Sequence, residues 1–228
     1  MNSMYYYVLV ALIVLGCSSN REDRSTAPNQ AITQIPVGNP TEGKSLYNTC
    51  QTCHGKEAQG NHQLGAPTLA NSDDWYMYRQ LMNFKKGIRG YLVHDTLGLQ
   101  MAAMSKMLKD SIAISHVVSY IMTMPEVILP SIIKGDIKKG ERTYQSTCGS
   151  CHGPGAKGNE KMFAPRLNGL EDWYLKSQIS KFKNSIRGAH PSDKLGSQMV
   201  AMVSLLGDEQ AVDDVIAYIR STTQTVTK

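Results

Sequence analysis

The chain has 228 residues, enough for one or two domains, and a formal net charge of +5 at pH 7. Its lysines and arginines are scattered through both halves, so there is no basic run of the kind that binds nucleic acid. Only three Phe and two Trp are present, which leaves few large side chains to fill a core.

The N-terminus predicts export and lipid attachment. The apolar run from Tyr5 to Leu15 is shorter than a membrane span of about 20 residues and has the length of a signal-peptide hydrophobic region. Val-Leu-Gly-Cys then resembles a bacterial lipobox, although no Lys or Arg precedes the run and Leu15 stands where a smaller residue is usual. We expect a signal peptide over 1–16 and acylation of Cys17; the alternatives are an uncleaved anchor or an incidental cysteine.

Residues 17–38 are polar and aperiodic, so we expect a flexible tether that holds the protein on the periplasmic side of a bacterial membrane. Ser18 stands where an Asp would favour retention in the inner membrane. This points to the outer membrane if the host is Gram-negative.

The remaining chain is a tandem duplication with a shift of 98 residues, and over 50–121 we count 32 identities in 72 positions without a gap. Upstream the register slips by one, because Tyr47 precedes its cysteine by three residues and Tyr144 precedes its own by four. Two repeats are too few for a solenoid, so each copy should be a compact domain.

Each copy predicts the same helices. The first begins at an Asn39-Pro40-Thr41-Glu42 cap and runs into a Cys-x-x-Cys-His motif. A second begins after Asp74 or Asp172 and ends near the glycines at 87–90, and a third follows Asp110 or Asp208. No segment alternates like a strand. The expected fold class is all-α, with domains at 39–126 and 136–228 and a linker at 127–135, where nearby prolines favour an extended connector.

The two Cys-x-x-Cys-His motifs allow three interpretations. A zinc site needs four ligands, but each motif stands alone in its domain. A thioredoxin-like redox site would need a βαβ context. Covalent attachment of c-type haem uses this signature: cysteines at i and i+3 share one helical face, and the next residue can point its imidazole at the iron. We therefore predict two haems, attached through Cys50, Cys53, Cys148 and Cys151 and ligated by His54 and His152.

Each copy also keeps a methionine pair, Met101 with Met104 and Met199 with Met202, about 50 residues after the histidine. Met/His ligation suits an electron-transfer haem because it raises the reduction potential. The alternative is that these methionines only fill the core.

Taken together, the pattern CxxCHG…AP-x-L…Q…F…Q-M-x-x-M…L-x-D…YI, present twice, resembles the class I cytochromes c and specifically the di-haem cytochrome c4 type. The resemblance implies two class I cytochrome c domains, each wrapped around one haem. It also selects the first methionine of each pair, Met101 and Met199, because each stands seven residues before a Leu and nine before an Asp.

The same resemblance implies that the carbonyls of Pro67 and Pro165 accept a hydrogen bond from the ligand histidines. Trp75, Trp173, Arg89 and Arg187 recur in both copies and could hold haem propionates. The alternatives are core packing for the tryptophans and exposed salt bridges for the arginines. Surface or structural roles are expected for the histidines without a repeat partner, His62, His94, His116 and His190.

The predicted function is that of a one-electron carrier between a membrane-bound donor and a terminal oxidase or another periplasmic acceptor or reductase. Its partners would be redox proteins, and neither catalysis nor a small-molecule substrate is expected. The alternatives are an electron-entry subunit of a larger dehydrogenase or oxidase complex, and a di-haem peroxidase.

Overall fold

The structure, a computed structural model, describes residues 35–223. The predicted signal peptide, Cys17 and the predicted tether as far as residue 34 lie outside the described residues. The predicted all-α fold class is confirmed, because residues 35–223 contain only helices and two isolated β-bridges. In the same range no helix has the length and apolar character needed to cross a membrane.

Five α-helices come from each copy of the repeat. The first copy forms α1 (Pro40–Tyr47), α2 (Gln51–His54), α3 (Asp74–Lys85), α4 (Thr96–Met107) and α5 (Ser111–Ile121). The second copy forms α6 (Ile137–Thr143), α7 (Gly149–His152), α8 (Asp172–Lys183), α9 (Lys194–Val203) and α10 (Glu209–Ser221).

The predicted starts of the first and third helices of the first copy are confirmed by their caps, whereas the second helix of each copy includes Asp74 or Asp172 as its first residue and has no side-chain cap hydrogen bond. The Asn39 side chain accepts a hydrogen bond from Thr41 N at 2.9 Å, with Pro40 in the first helical position. Asp110 accepts one from Ala113 N at 2.9 Å and so begins α5. Local sequence therefore specifies where both helices begin.

A glycine lets the first and last helices of each domain cross closely. A Cβ atom on Gly43 would lie 1.9 Å from the His116 carbonyl oxygen in α5, and one on Gly140 would lie 1.9 Å from the Asp214 carbonyl oxygen in α10. The two crossings bring the buried faces of α5 and α10 onto Tyr47, the last residue of α1, and Tyr144, which directly follows α6. Each domain thus has its own apolar core.

A π-helix at Tyr144–Cys148 accounts for the one-residue slip between the repeats. The wider turn absorbs the extra residue, so that the two tyrosines keep equivalent places. Tyr47 and Tyr144 are each 1% exposed, and their hydroxyls donate to the carbonyls of Gly55 and Gly153 at 2.8 and 2.7 Å.

The two domains exchange equivalent hydrogen bonds. An Asp73 carboxylate oxygen accepts from Arg166 N at 2.8 Å, and a Glu171 carboxylate oxygen accepts from Thr68 N at 2.7 Å. Asp73 corresponds to Glu171 and Thr68 to Arg166 under the 98-residue shift. The interface is therefore organised around an approximate two-fold relation between the repeats.

The connector, residues 125–136, carries neither helix nor strand. At its start, the Asn71 amide donates to the Val127 carbonyl and accepts from Val127 N, both at 2.8 Å, and it also donates to the Gly169 carbonyl at 2.7 Å. Further along, the Asp172 carboxylate accepts hydrogen bonds from Ser131 and from the backbone of the next two residues. These bonds order the connector against both domains.

Candidate functional site

Each Cys-x-x-Cys-His motif forms a single helical turn. In the first copy, His54 N donates to the Cys50 carbonyl at 2.9 Å, so the two cysteines lie one turn apart on the same face. Gly55 follows with φ +82°, and Gly153 follows the second motif with φ +73°. This backbone favours glycine, and it turns the chain away directly after the histidine.

Both motif histidines are buried and oriented by a proline carbonyl. His54 and His152 are each 5% exposed, and their Nδ1 atoms lie 2.8 Å from the carbonyl oxygens of Pro67 and Pro165. Burial lowers the pKa of both rings, while the hydrogen bond to the proline carbonyl acts in the opposite direction. A neutral ring that donates through Nδ1 leaves Nε2 as the nitrogen able to bind a metal.

One cavity of about 450 Å³ lies between the two domains and reaches both motifs. Residues of both copies line it, including the cysteines, histidines and methionines singled out by the sequence: Cys50, His54, Met101, Met104, Cys148, Cys151, His152, Met199 and Met202. Cys53 is exposed. Thiols on a helical turn, a buried imidazole with one free nitrogen and thioethers on the same cavity wall are the donor set that a c-type haem needs, so the residues present fit this group.

Helices α4 and α9 bring the methionines to the cavity, and the helix prediction missed both of them. Asp95 and Asp193 begin these helices and accept hydrogen bonds from Gly98 N and Gly196 N, at 3.1 and 2.9 Å. Within each helix the two methionines are three residues apart and therefore share a face. The recurring Asp-x-x-Gly was the available signal for this cap.

Arg89 and Arg187 form a network across the domain interface. Arg187 donates to the Tyr76 hydroxyl at 2.6 Å, to Gln80 at 3.0 Å and to Gln178 at 3.0 Å. Arg89 donates to the same two glutamines at 2.8 and 2.9 Å. Each glutamine therefore receives one hydrogen bond from its own domain's arginine and one from the other domain's arginine.

The alternative of an exposed salt bridge for these arginines is wrong. Arg187 is 8% exposed, and neither arginine pairs with a carboxylate within residues 35–223. Both guanidinium groups lie 4.5 Å from the centroid of a phenylalanine ring in their own domain, and both line the cavity. The sequence reasoning assigned no role to Gln80, Gln178 or Tyr76, although all three positions are identical in the two copies.

Tyr76 is held among several positive charges. Burial by itself would raise the pKa of its hydroxyl, but Arg187, Arg89 and Arg79 together lower it. Arg79 also reaches across the interface to the Phe163 carbonyl oxygen, with both terminal nitrogens at 3.3 Å. The cavity is thus strongly electropositive on the side where the domains meet.

The two tryptophans have different surroundings. Trp75 is 7% exposed and packs beneath Arg79, whose guanidinium carbon lies 5.0 Å from the ring centroid. Trp173 lines the cavity and stacks on His62 of the other domain, with ring centroids 4.7 Å apart. His62, His94, His116 and His190 are all absent from the cavity lining of the described chain.

In the part of the chain that the structure describes, no group of three or more His, Cys, Asp or Glu side chains is arranged to hold a metal ion. The four motif cysteines form no disulfide with one another.

Comparison with protein families matches the Cytochrome c family to residues 40–125 and again to 137–223. Among curated proteins, the chain is similar to the thiosulfate dehydrogenase electron acceptor of Stutzerimonas stutzeri (strain A1501). The two are 29% identical over 164 residues, which cover 67% of this chain and 71% of the relative.

The chain is also similar to the Cbb3-type cytochrome c oxidase subunit FixP of Sinorhizobium medicae (strain WSM419). Here the identity is 29% over 185 residues, which cover 75% of this chain but only 60% of that subunit. Among solved structures, reduced recombinant cytochrome c4 from Pseudomonas stutzeri aligns with a TM-score of 0.62 and 23% identity. That alignment covers 81% of this chain and 98% of the cytochrome.

Proposed function

This chain belongs to the cytochrome c family, with one matching domain in each half, and we propose that it carries single electrons from a membrane-bound donor to a terminal oxidase or another periplasmic acceptor. It is a di-haem c-type cytochrome, and each bound haem would supply a one-electron couple between ferric and ferrous iron. The chain contributes attachment, ligation, burial and docking surface rather than substrate chemistry.

The observation that carries this proposal is the single cavity shared by the two motifs. Residues from both Cys-x-x-Cys-His turns line it, and each histidine is fixed by a proline carbonyl 2.8 Å from Nδ1. This arrangement supports two redox centres close together in one rigid frame. Electrons could then pass from one domain to the other within the molecule.

The residues that would ligate the haem irons are His54 and Met101 in the first domain and His152 and Met199 in the second. All four side chains line the cavity, and the rigid helices α4 and α9 supply the methionines. Ligands that remain bound in both oxidation states would keep the rearrangement on electron transfer small. The thioether partner also raises the reduction potential.

The proposed roles of Arg89 and Arg187 are to hold haem propionates. Four cationic side chains and one carboxylate line the cavity in the described chain: Arg79, Arg89, Lys181, Arg187 and Asp193. Lys181 pairs with Asp95, whereas the three arginines form no ion pair in the described chain. Cations shielded from water without an acidic partner are costly, and the propionates of two haems would balance these arginines. Trp173, which lines the same cavity, could contribute an indole N–H, whereas the packing of Trp75 favours a core role.

The comparisons support redox proteins as partners. One relative is named as the electron acceptor of a thiosulfate dehydrogenase and another as a subunit of an oxidase. By analogy, the donor or acceptor of this chain would belong to such a complex. The second relative also favours the alternative that this chain is an electron-entry subunit of a larger complex, which stable co-purification of a partner would show.

The proposed location is the periplasmic side of a bacterial membrane, held by lipid on Cys17. Support comes from the lipobox-like sequence alone. Several acyl chains on one cysteine would anchor the protein far more firmly than a single chain. Globomycin-sensitive processing, lost in Cys17→Ser, would establish the anchor.

A spectroscopic redox titration of wild type, Met101→Ala and Met199→Ala tests the ligand assignment. We expect wild type to titrate as two low-spin Met/His haems, and each variant to convert one haem to a different spin state and a lower potential. Met104→Ala and Met202→Ala are the matched controls, because these methionines share the same helix faces. If instead Met104→Ala or Met202→Ala changes the spin state and potential of a haem, the ligand assignment moves to Met104 and Met202. If none of the four variants changes a haem, the proposed Met/His ligation is wrong.

A further inference from the structure

An ion pair between a half-buried lysine and a buried carboxylate joins the second domain to the start of the methionine helix of the first. Lys181 of α8 places its Nζ atom 2.6 Å from a carboxylate oxygen of Asp95. The two side chains are 19% and 5% exposed, and no other ion pair in the described chain has both partners so well covered. A pair shielded from water is screened far less than a surface pair.

Asp95 is the residue that begins α4. The same carboxylate oxygen that meets Lys181 accepts the hydrogen bond from Gly98 N at 3.1 Å. Because α4 carries Met101 three residues beyond Gly98, the position of this carboxylate helps to fix the start of the ligand helix. Lys181 lines the cavity itself, and through this carboxylate it also contacts the cap of the ligand helix.

Among the described residues, no ion pair on the other side of the repeat corresponds to this one, although Arg79 of the first domain interacts electrostatically with Asp193. Asp193, which corresponds to Asp95, caps α9 by accepting from Gly196 N at 2.9 Å. The residue that corresponds to Lys181 is Asn83, which carries no charge. At these repeat positions, a lysine of the second domain therefore contacts the helix cap of the first domain, but no lysine of the first domain contacts the helix cap of the second.

We propose that Lys181 is a positioning residue for the haem of the first domain: it neutralises Asp95 and holds the start of the Met101 helix only while the two domains are docked. The proposal rests on the proposed function, since it assumes a redox centre ligated by Met101. It follows that the second domain sets part of the first domain's reduction potential. Within residues 35–223, the first domain forms no equivalent ion pair with the start of the methionine helix of the second.

The sign of the effect depends on which charge is left unpaired. Without Lys181, the buried Asp95 carboxylate stabilises the more positive ferric centre, and the ratio of reduced to oxidised haem falls. Without the Asp95 charge, Lys181 destabilises the ferric centre and the ratio rises. A unit charge in a partly buried protein environment changes such an equilibrium by about threefold to tenfold.

The test is a redox titration of Lys181→Met, Asp95→Asn and the double variant, with the first-domain step identified as the one that Met101→Ala alters. Asn is a good helix cap, so Asp95→Asn removes the charge and keeps the cap. At a fixed potential we expect a lower reduced fraction in Lys181→Met, a higher one in Asp95→Asn, and a value near wild type in the double variant. Lys183→Met is the matched control, because Lys183 lies on the same helix and binds the Gly207 carbonyl within its own domain at 3.0 Å.

The outcomes separate this proposal from the proposed function. If wild type does not titrate as two Met/His haems, the proposed function fails. If it does and Lys181→Met changes the first-domain ratio no more than Lys183→Met does, only the role of Lys181 fails. Two single variants that shift the ratio in the same direction would indicate a loss of structure rather than a change of charge, and would also overturn the proposal.

Discussion

Glu171 is a buried carboxylate at the contact between the two domains. It is 6% exposed, and one of its oxygens accepts the hydrogen bond from Thr68 N. Its other oxygen has no hydrogen-bond partner among the described residues. Burial raises the pKa of this carboxyl, although its own backbone N–H, that of Thr68 and the charge of Arg220 act in the opposite direction.

The raised pKa makes stability depend on pH with a definite sign. The folded protein binds this proton more tightly than the unfolded chain, so unfolding releases a proton above the ordinary value of 4.5. The contribution of Glu171 to the free energy of unfolding should therefore fall as pH rises from that value through the folded pKa. This pH-dependent contribution should be absent in Glu171→Gln.

Denaturant unfolding of the holoprotein across this pH range measures the effect. We expect Glu171→Gln to show a smaller loss of stability with rising pH than wild type. Glu57→Gln is the control, because Glu57 is exposed and should leave the profile unchanged. Parallel profiles for wild type and Glu171→Gln would contradict the prediction.

Single residues differ in how well the sequence predicts their surroundings. The Cys-x-x-Cys-His spacing is local, and the helical turn that it requires is present at Gln51–His54 and Gly149–His152. The surroundings of Arg187 depend on Tyr76 and Gln80 of the other domain, more than 100 positions away in the chain. No local pattern specifies such a contact, which is why an exposed salt bridge could be favoured for a side chain that is buried.

Helix prediction succeeded where caps and an apolar stripe coincided. α5 has Asp110 as its cap and a continuous buried face that includes Ile114, Val117 and Ile121. α4 was missed because its apolar residues run around the helix instead of forming one stripe, and because Gly98 lies in its first turn. Its methionines face a cavity rather than a packed core, so the usual periodic signal is weak.

The π-helix at Tyr144–Cys148 makes a specific prediction about deletion. Removing Gln145 should convert this turn to the shorter form of the first copy, where only two residues separate Tyr47 from Cys50. Tyr144 should keep its hydrogen bond to the Gly153 carbonyl. We expect both haems to remain attached and the free energy of unfolding to stay within about 1 kcal/mol of wild type.

Haem content from the absorption spectrum and denaturant unfolding would check this outcome. Deletion of Asn48 in the first copy is the matched control, because that copy has no extra residue to lose. It should pull Tyr47 away from the Gly55 carbonyl and reduce haem attachment in the first domain. Equal damage from the two deletions would show that the π-helix is required for more than accommodating an insertion.

The way in which the two domains dock is the feature of the whole molecule that is hardest to predict from the sequence. The 98-residue repeat established two domains, and the family matches cover both. It gave no indication that Asp73 and Glu171 would each bind the backbone of the opposite domain. Such contacts depend on which surfaces meet, and two compact domains with the same helices could dock in many ways.

The shared cavity leads to a prediction about the molecule without haem. The cavity of about 450 Å³ is lined largely by apolar side chains of both domains. Without haem these side chains would be exposed to water, and the free energy gained by burying them would be lost. Domains of this size with few large side chains are already marginal.

We therefore expect the variant with all four motif cysteines changed to Ala to lack native-like circular dichroism and a cooperative thermal transition. Two double variants test the two domains separately: Cys50→Ala/Cys53→Ala for the first and Cys148→Ala/Cys151→Ala for the second. Since the cavity wall is shared, each double variant should also lower the transition temperature of the domain that still holds haem.

A retained native spectrum in the fourfold variant would show that the apolar cores around Ile114 and Ile216 are sufficient to fold the domains alone. An unchanged transition in the partner domain would instead show that each haem stabilises only the domain to which it is attached.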